Sequence, residues 1–226
     1  MVVPIIPALN PDLKLINLVN ELKKTFKKII IVNDGSTSNE IFNELKENKE
    51  CIILTHEINM GKGEALKTAY RYYIDNLIND YDGVITLDAD GQHAVSDTIE
   101  MSKLVKKENK TILGTRLFNT KETPFRNKMG NRITSKVFKL LYGVYIKDTQ
   151  TGLRAFPNRL IKLMTEVEGS RFEYEINVLI ELVKNKEEIY EYDIKTIYLE
   201  NSNKGSHFNV FKDSYKIYKL MFQKRK

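Results

Sequence analysis

The sequence predicts an α/β fold in which a mostly parallel central sheet is flanked by helices. Three observations predict it. Short β-branched runs alternate with stretches of helical periodicity through the first half of the chain, the pattern of strand–helix–strand crossovers. Polar clusters of small, acidic or basic residues follow four successive expected strands, where an open parallel sheet collects its ligands. At 226 residues and 42% hydrophobic content, the chain is long enough for one elaborated domain with a substantial core.

In chain order, strands are expected at Val2 to Pro7, Lys28 to Asn33, Cys51 to His56, Gly83 to Leu87 and Thr111 to Gly114. Leu15, Leu18, Val19 and Leu22 recur at helical spacing between the first two, as do Ala65, Leu66, Ala69 and Tyr73 between the third and fourth. The second half is less regular. Helical patterns run from Asn131 to Tyr142, Glu173 to Lys184 and Asn209 to Phe222, with a strand near Ile189 to Tyr198. No linker, repeat or low-complexity tract interrupts it, so residues 1–206 are read as one domain and residues 207–226 as a basic amphipathic helix. In that helix Val210, Phe211, Tyr215, Ile217, Tyr218, Met221 and Phe222 share one face, Lys212, Lys216 and Lys219 gather opposite, and Lys224-Arg225-Lys226 ends the chain. It is expected to pack on the domain or to lie on an anionic membrane surface.

Composition removes several classes of function. No run of ~18 apolar residues occurs and no basic leader follows Met1, so neither a membrane span nor a signal peptide is expected. The expected location is the cytoplasm, with peripheral contact at the inner face of the membrane as the second expectation. The lone cysteine, Cys51, sits in an apolar run and reads as a small core residue. A net charge of +6 and a pI near 9.1 suit nucleic acid, an anionic membrane or a phosphorylated substrate. No RNA-binding aromatic signature, zinc-finger spacing or basic-region heptad is present, and nucleic acid is not expected as a partner.

The chemistry concentrates in the strand-end clusters. Asp88 and Asp90 flank Ala89 directly after an apolar strand and present two carboxylates at the sheet edge. Hard oxygen ligands of this kind suit Mg²⁺ or Mn²⁺, and a cation there would neutralise charge on a departing diphosphate. The same four residues, Asp88-Ala89-Asp90-Gly91, also read as a plain turn. Gln92 adds an amide oxygen near the expected metal, whereas His93 reads as a capping or packing residue. Asp34 either accepts hydrogen bonds from a base or ribose or caps a helix. Asn59-Met60-Gly61-Lys62-Gly63 lacks the spacing of a phosphate loop, which removes the ATPase reading, yet Lys62 remains able to meet a phosphate or close a nucleotide pocket.

The ordered set Ile6-Pro7-Ala8, Val32-Asn33-Asp34-Gly35-Ser36, Asn59-x-Gly61-Lys62-Gly63, Leu87-Asp88-Ala89-Asp90-Gly91-Gln92 and Gly114-Thr115-Arg116 resembles glycosyltransferase family 2. Within it, the chain is most similar to the dolichol-phosphate-mannose synthase-like branch, from residue 2 to about residue 180. The resemblance implies the Rossmann-like GT-A fold, a nucleotide-diphosphate sugar donor, Mg²⁺ or Mn²⁺, and inversion at the anomeric carbon. It assigns the donor pocket to Pro7, Ala8, Asn10, Asp34, Asn59, Lys62, Asp88 and Ala89, and the metal to Asp88, Asp90 and Gln92. Arg116 and Arg132 match basic positions that face the acceptor phosphate, a task suited to the planar guanidinium fork. Asp148-x-x-x-Gly152-Leu153-Arg154 and Phe172-Glu173-Tyr174-Glu175 resemble acceptor-side segments, which makes Glu173 or Glu175 the candidate general base. The chain departs from the family at Leu9 and Pro11, where an aromatic residue and a glutamate are usual.

The expected activity is therefore transfer of a hexose to a polyprenyl phosphate. Transfer to a saccharide hydroxyl of a cell-surface polysaccharide, or nucleotide-sugar binding without turnover, are the alternatives.

Overall fold

In the computed structural model, residues 1–117, 125–195 and 218–223 are described, those at 125–128 by backbone alone. Seven strands form one sheet in the order β3-β2-β1-β4-β6-β5-β7. The strands are β1 (Val2–Ala8), β2 (Ile29–Asp34), β3 (Cys51–His56), β4 (Gly83–Thr86), β5 (Thr111–Arg116), β6 (Arg154–Pro157) and β7 (Ile189–Ile194). All pairings are parallel except those of β6, which runs antiparallel to both β4 and β5. The helices are α1 (Leu13–Leu22), α2 (Glu40–Lys46), α3 (Lys62–Asn76), α4 (Val95–Glu108), α5 (Phe125–Tyr142), α6 (Asn158–Glu166) and α7 (Glu173–Lys184).

The alternation of side chains along each strand divides the core into two layers. Val3, Ile5, Ile30, Val32 and Val84 face α3, α6 and α7, while Val2, Ile6, Ile29, Ile31 and Ile85 face α1, α2 and α4. Both faces of the inner strands are covered, which is why β1 and β2 read as continuous apolar runs. α1 starts where Asp12 accepts a hydrogen bond from the Lys14 amide, and it buries Leu15, Ile16, Leu18, Val19 and Leu22. Each such side chain contributes roughly 1.5–3 kcal/mol of burial before chain entropy is subtracted.

The reversed strand β6 places a loop at the ligand-binding edge. Because Thr86 pairs with Arg154 and the strands run in opposite directions, the residues preceding β6 lie beyond the carboxyl end of β4. The Thr86 hydroxyl ties them there by donating to the Gly152 carbonyl at 2.8 Å. The expected strands lie within one to two residues of those found, and Glu173 to Lys184 is α7. β7 stops at Ile194, and residues 196–198 of the expected strand fall outside the described region.

Of the expected C-terminal helix, residues 207–217 and 224–226 lie outside the described region. Its described portion, 218–223, is helical and packs on the domain. Met221 is fully buried, Tyr142 donates to its carbonyl at 2.7 Å, and the Tyr218 and Thr134 hydroxyls meet at 3.0 Å.

Candidate active site

The ends of β2, β3 and β4 bring Asp34, His56 and the Asp88–Asp90 pair to one edge of the sheet. Asp34, at the end of β2, is 4% exposed. Its Oδ1 accepts from the Met60 amide at 2.9 Å and lies 2.7 Å from Nδ1 of His56, while its Oδ2 accepts from the Gly61 amide at 2.8 Å. Gly61 has φ +98°, a conformation natural to glycine, and this aims its amide at Asp34 and starts α3. The capping alternative for Asp34 is corrected in its detail: α2 is preceded by Asn39, and the carboxylate reaches instead to the positive N-terminal end of α3. His56 in turn meets the Thr68 hydroxyl through Nε2 at 3.0 Å. No sequence motif marked His56; its place at the end of β3, paired in register with Asp34, was the available signal.

At the first residue of α3, the Lys62 ammonium is bound by two carboxylates: Asp88 Oδ1 at 2.7 Å and Glu175 Oε1 at 3.0 Å. Burial on its own pushes this ammonium toward neutrality, but Asp88 and Glu175 outweigh it and hold Lys62 charged, above its ordinary range. The reciprocal effect acts on Asp88. Burial opposes its charge, and Lys62 and His93 overcome that and hold the carboxyl well below its usual range. Nε2 of His93 lies 3.2 Å from Asp88 Oδ2, so this buried ring is more than a packing residue, and the cap of α4 is Ala94.

Asp90 stands at the exposed rim. Desolvation, and after it the charge of Asp88, pushes its carboxyl above the ordinary range, while the Gln92 amide donates to its Oδ1 at 2.9 Å. The turn reading and the site reading of Asp88-Ala89-Asp90-Gly91 are thus compatible: the turn brings both carboxylates to one edge. Gly152 closes the other side, because a Cβ there would collide with the Asp88 carboxylate.

Among the described residues, no three His, Cys, Asp or Glu side chains already form a cage for a cation. A cation shared with a diphosphate does not need one, since Mg²⁺ commonly takes one or two carboxylates and completes its shell with phosphate oxygens and water. Asp88 and Asp90 fit that pattern in donor chemistry, two carboxylates that one turn brings to one edge, and a cation between them would relieve the repulsion that Asp88 exerts on Asp90. Of Gln92, it is the backbone that is bonded to this turn.

On the first strand, Pro7 is half-buried and Ala8 buried, and Asn10, with φ +48°, accepts through Oδ1 from the Thr37 amide at 2.8 Å and its hydroxyl at 3.0 Å. The polar clusters after β1 and β2 are thereby stitched together. Asn59 is exposed beside them.

The acceptor-side residues are placed less simply. Arg116, 23% exposed, forms a two-pronged ion pair with the fully buried Asp148, Nε to Oδ2 at 2.6 Å and Nη2 to Oδ1 at 2.9 Å. Arg132 is exposed on α5. Its neighbour Asn131 is buried, donates to the Lys147 carbonyl at 2.7 Å and accepts from the Thr149 amide at 3.1 Å, fastening α5 to the Asp148 loop. The guanidinium of Arg154, also buried, donates to the carbonyls of Thr151, Thr149 and Glu175 and locks this loop to the start of α7. Of the two candidate bases, Glu173 accepts from the Ser170 and Arg171 amides at 3.2 and 3.3 Å, and Glu175 holds Lys62.

The comparisons with known proteins agree with this architecture. The family model for glycosyl transferase family 2 matches residues 5–164. A UDP-N-acetylglucosamine–dolichyl-phosphate N-acetylglucosaminyltransferase of Methanococcus voltae is 36% identical over 97% of this chain and 96% of its own. A dolichyl-phosphate beta-glucosyltransferase of Trichomonas vaginalis is 30% identical over 71% of this chain and 54% of its own. Among solved structures, glucosyl-3-phosphoglycerate synthase from Mycobacterium tuberculosis, in complex with Mn²⁺, UDP and phosphoglyceric acid, superposes with a TM-score of 0.73. That match, at 14% identity, covers 100% of this chain and 78% of the other and shows a shared GT-A fold. A family model spanning most of the chain and a relative similar along nearly its whole length lead to one conclusion: the chain belongs to glycosyl transferase family 2.

Proposed function

We propose that the protein transfers a hexose or N-acetylhexosamine from a nucleoside-diphosphate sugar to a polyprenyl phosphate, with inversion at the anomeric carbon. The observation that carries this reading is the end-to-end match to an archaeal enzyme named for dolichyl phosphate as its acceptor. The site supports it independently. A phosphate nucleophile arrives already ionised, so no side chain needs to remove a proton from it. The two carboxylates available for that task on α7 are engaged, Glu175 with Lys62 and Glu173 with backbone amides, which suits a phosphate acceptor better than a saccharide hydroxyl.

In this mechanism the strand-end loops around Asp34, Pro7, Ala8, Asn10 and Asn59 hold the nucleoside, with Asp34 kept rigid by its three partners. Asp88 and Asp90, with Gln92 beside them, hold Mg²⁺ or Mn²⁺, which when bound supplies positive charge against the departing diphosphate. Lys62 sets the position of Asp88, and Ala89 gives the diphosphate close access to the turn. Arg116 and Arg132 orient the acceptor phosphate. Its oxygen attacks the anomeric carbon as the carbon–oxygen bond to the nucleoside diphosphate breaks on the opposite face, and no proton is transferred.

The test is a transfer assay with UDP- and GDP-sugars, with and without Mn²⁺, on a short polyprenyl phosphate and on an oligosaccharide. Metal-dependent formation of glycosyl polyprenyl phosphate is expected. Transfer confined to the saccharide would overturn the acceptor reading, and donor binding without transfer to either would overturn the enzyme reading.

A further inference from the structure

The contacts of Asp34 leave its carboxylate a single opening. An ionised carboxylate offers about four lone-pair sites and can only accept. Among the described residues three partners occupy it: the Met60 amide and His56 on Oδ1, and the Gly61 amide on Oδ2. The remaining site is on Oδ2, at the end of β2, where a ligand approaches the edge of a parallel sheet. The two amides come with the turn into α3, whatever side chains that turn carries. His56 is the one partner that a side chain supplies.

The ring of His56 is itself anchored. Its contact with Asp34 at 2.7 Å puts the proton on Nδ1, so Nε2 of the neutral ring is an acceptor, and the Thr68 hydroxyl at 3.0 Å is its donor. Thr68 lies further along α3, the helix that begins at Lys62. Side-chain exposures of 8% for His56 and 5% for Asp34 keep water from replacing either partner. One rigid ring from the edge strand β3 thus ties the carboxylate of β2 to α3.

We propose that His56, oriented by Thr68, is a positioning residue for the sugar donor: it turns Asp34 so that the last open lone pair faces the nucleoside. The inference rests on the reading of Asp34 as part of the nucleoside pocket. His56 acts through Asp34 and not on the substrate. Without its N–H the carboxylate is free to rotate about its last bond, and two lone pairs rather than one then lack a fixed partner. Outer partners of this kind set the orientation, and with it the affinity, of the group that meets the ligand.

Calorimetric titration of the full chain with UDP and with GDP, in the absence of metal, tests this on binding alone. For whichever nucleotide the wild type binds, His56→Leu should weaken affinity about tenfold. His56→Asn, which keeps an N–H donor near the place of Nδ1, should recover most of that loss. Thr68→Val, of nearly the same shape, should cost about threefold. A role exercised through Asp34 predicts that Asp34→Ala combined with His56→Leu binds no more weakly than Asp34→Ala alone, whereas independent effects would multiply to about a hundredfold. Melting temperatures are recorded for every variant. Multiplying losses in the double variant would overturn the proposal. So would a His56→Asn variant that regains the melting temperature but not the affinity, since that marks a purely structural role. If His56→Leu does not fold, Thr68→Val alone and combined with Asp34→Ala provides the same comparison, and multiplying losses there overturn the proposal equally. Weakened binding in Asp34→Ala with wild-type affinity in His56→Leu refutes the positioning role alone. Unchanged affinity in Asp34→Ala, or no binding of either nucleotide by the wild type, refutes the nucleoside-pocket reading and the proposal with it.

Discussion

Replacing Lys62 by Met tests whether the ion triad at the centre of the site is held by this one cation. The ammonium bonds to Asp88 and Glu175 at 2.7 and 3.0 Å, and both are partly shielded from water. A charge-assisted hydrogen bond contributes about 1.5–3 kcal/mol when well desolvated, and Asp88, at 33% side-chain exposure, stands toward the lower end. A combined loss of roughly 2–3 kcal/mol follows, and at about 2–4 °C per kcal/mol for a domain of this size the melting temperature should fall by roughly 4–12 °C. The sign of the pH dependence is fixed by the two shifts. Asp88 is held below its ordinary value of 3.8, so its contribution is present above that pH and declines as the pH falls toward its lower folded value. Lys62 is held above 10.5, so its contribution is complete below that pH and is lost only at still higher pH. The difference between wild type and variant should be flat from pH 6 to 9 and shrink below pH 3.8. Mn²⁺ added without nucleotide should recover part of the lost stability in the variant, because Asp88 Oδ1 has lost its cation. Differential scanning calorimetry across pH checks all of this. A variant that melts within 1 °C of wild type throughout refutes the reasoning.

Three further outcomes follow from the same geometry. Asp90→Ala should leave the melting temperature nearly unchanged, since the residue is at the rim, and abolish the metal dependence of donor binding; calorimetric titration of the nucleotide sugar with and without Mn²⁺ reads it. Asp34→Ala orphans the Met60 and Gly61 amides and loosens the start of α3, so the affinity for the free nucleoside diphosphate should fall about tenfold even in the absence of metal. Burial, and after it the charge of Glu50, raises the Cys51 thiol to about 11, so at pH 8 only about one molecule in a thousand is thiolate and alkylation should be far slower than for a free thiol.

The crossover half of the molecule was legible because period and burial agree there: β1 and β2 are apolar on both faces, and the helices that cover them carry their core residues at helical spacing. β6 was not legible as a strand. Arg154-Ala155-Phe156-Pro157 is short and contains a buried arginine and a proline, and its strand character comes from pairing with β4 and β5 rather than from its own sequence. α5 hid its first turns, because the stretch from Phe125 to Gly130, ahead of the expected start at Asn131, holds three polar or charged residues and a helix-disfavouring glycine. In the candidate site the positions of Asp34, Asp88 and Asp90 at strand ends could be read from spacing. Their partners His56 and Lys62, and Glu175 on the other side of Lys62, come from three separate segments, and only the fold brings them together.

The acceptor side shows how the structure changes the experiment that sequence alone would choose. If Arg116 met only an acceptor phosphate, Arg116→Ala would be a clean probe. Its guanidinium instead neutralises Asp148, which is fully buried, and removing one member of a buried ion pair costs about 3–5 kcal/mol because the other charge is left behind. Loss of transfer in Arg116→Ala would then report on a disturbed loop as readily as on a lost phosphate contact. Arg116→Lys keeps the charge beside Asp148 but not the planar fork, so it should fold with a small loss of stability and still give up the two-pronged geometry. Arg132→Ala on the exposed face of α5 disturbs nothing buried. A phosphate-orienting role for both predicts that Arg116→Lys and Arg132→Ala each slow transfer to polyprenyl phosphate about tenfold or more, with donor affinity unchanged. Steady-state kinetics against acceptor and donor separately measure the two effects. Wild-type transfer rates in both variants would remove these arginines from the acceptor site, and a parallel loss of donor affinity would assign them to the diphosphate instead.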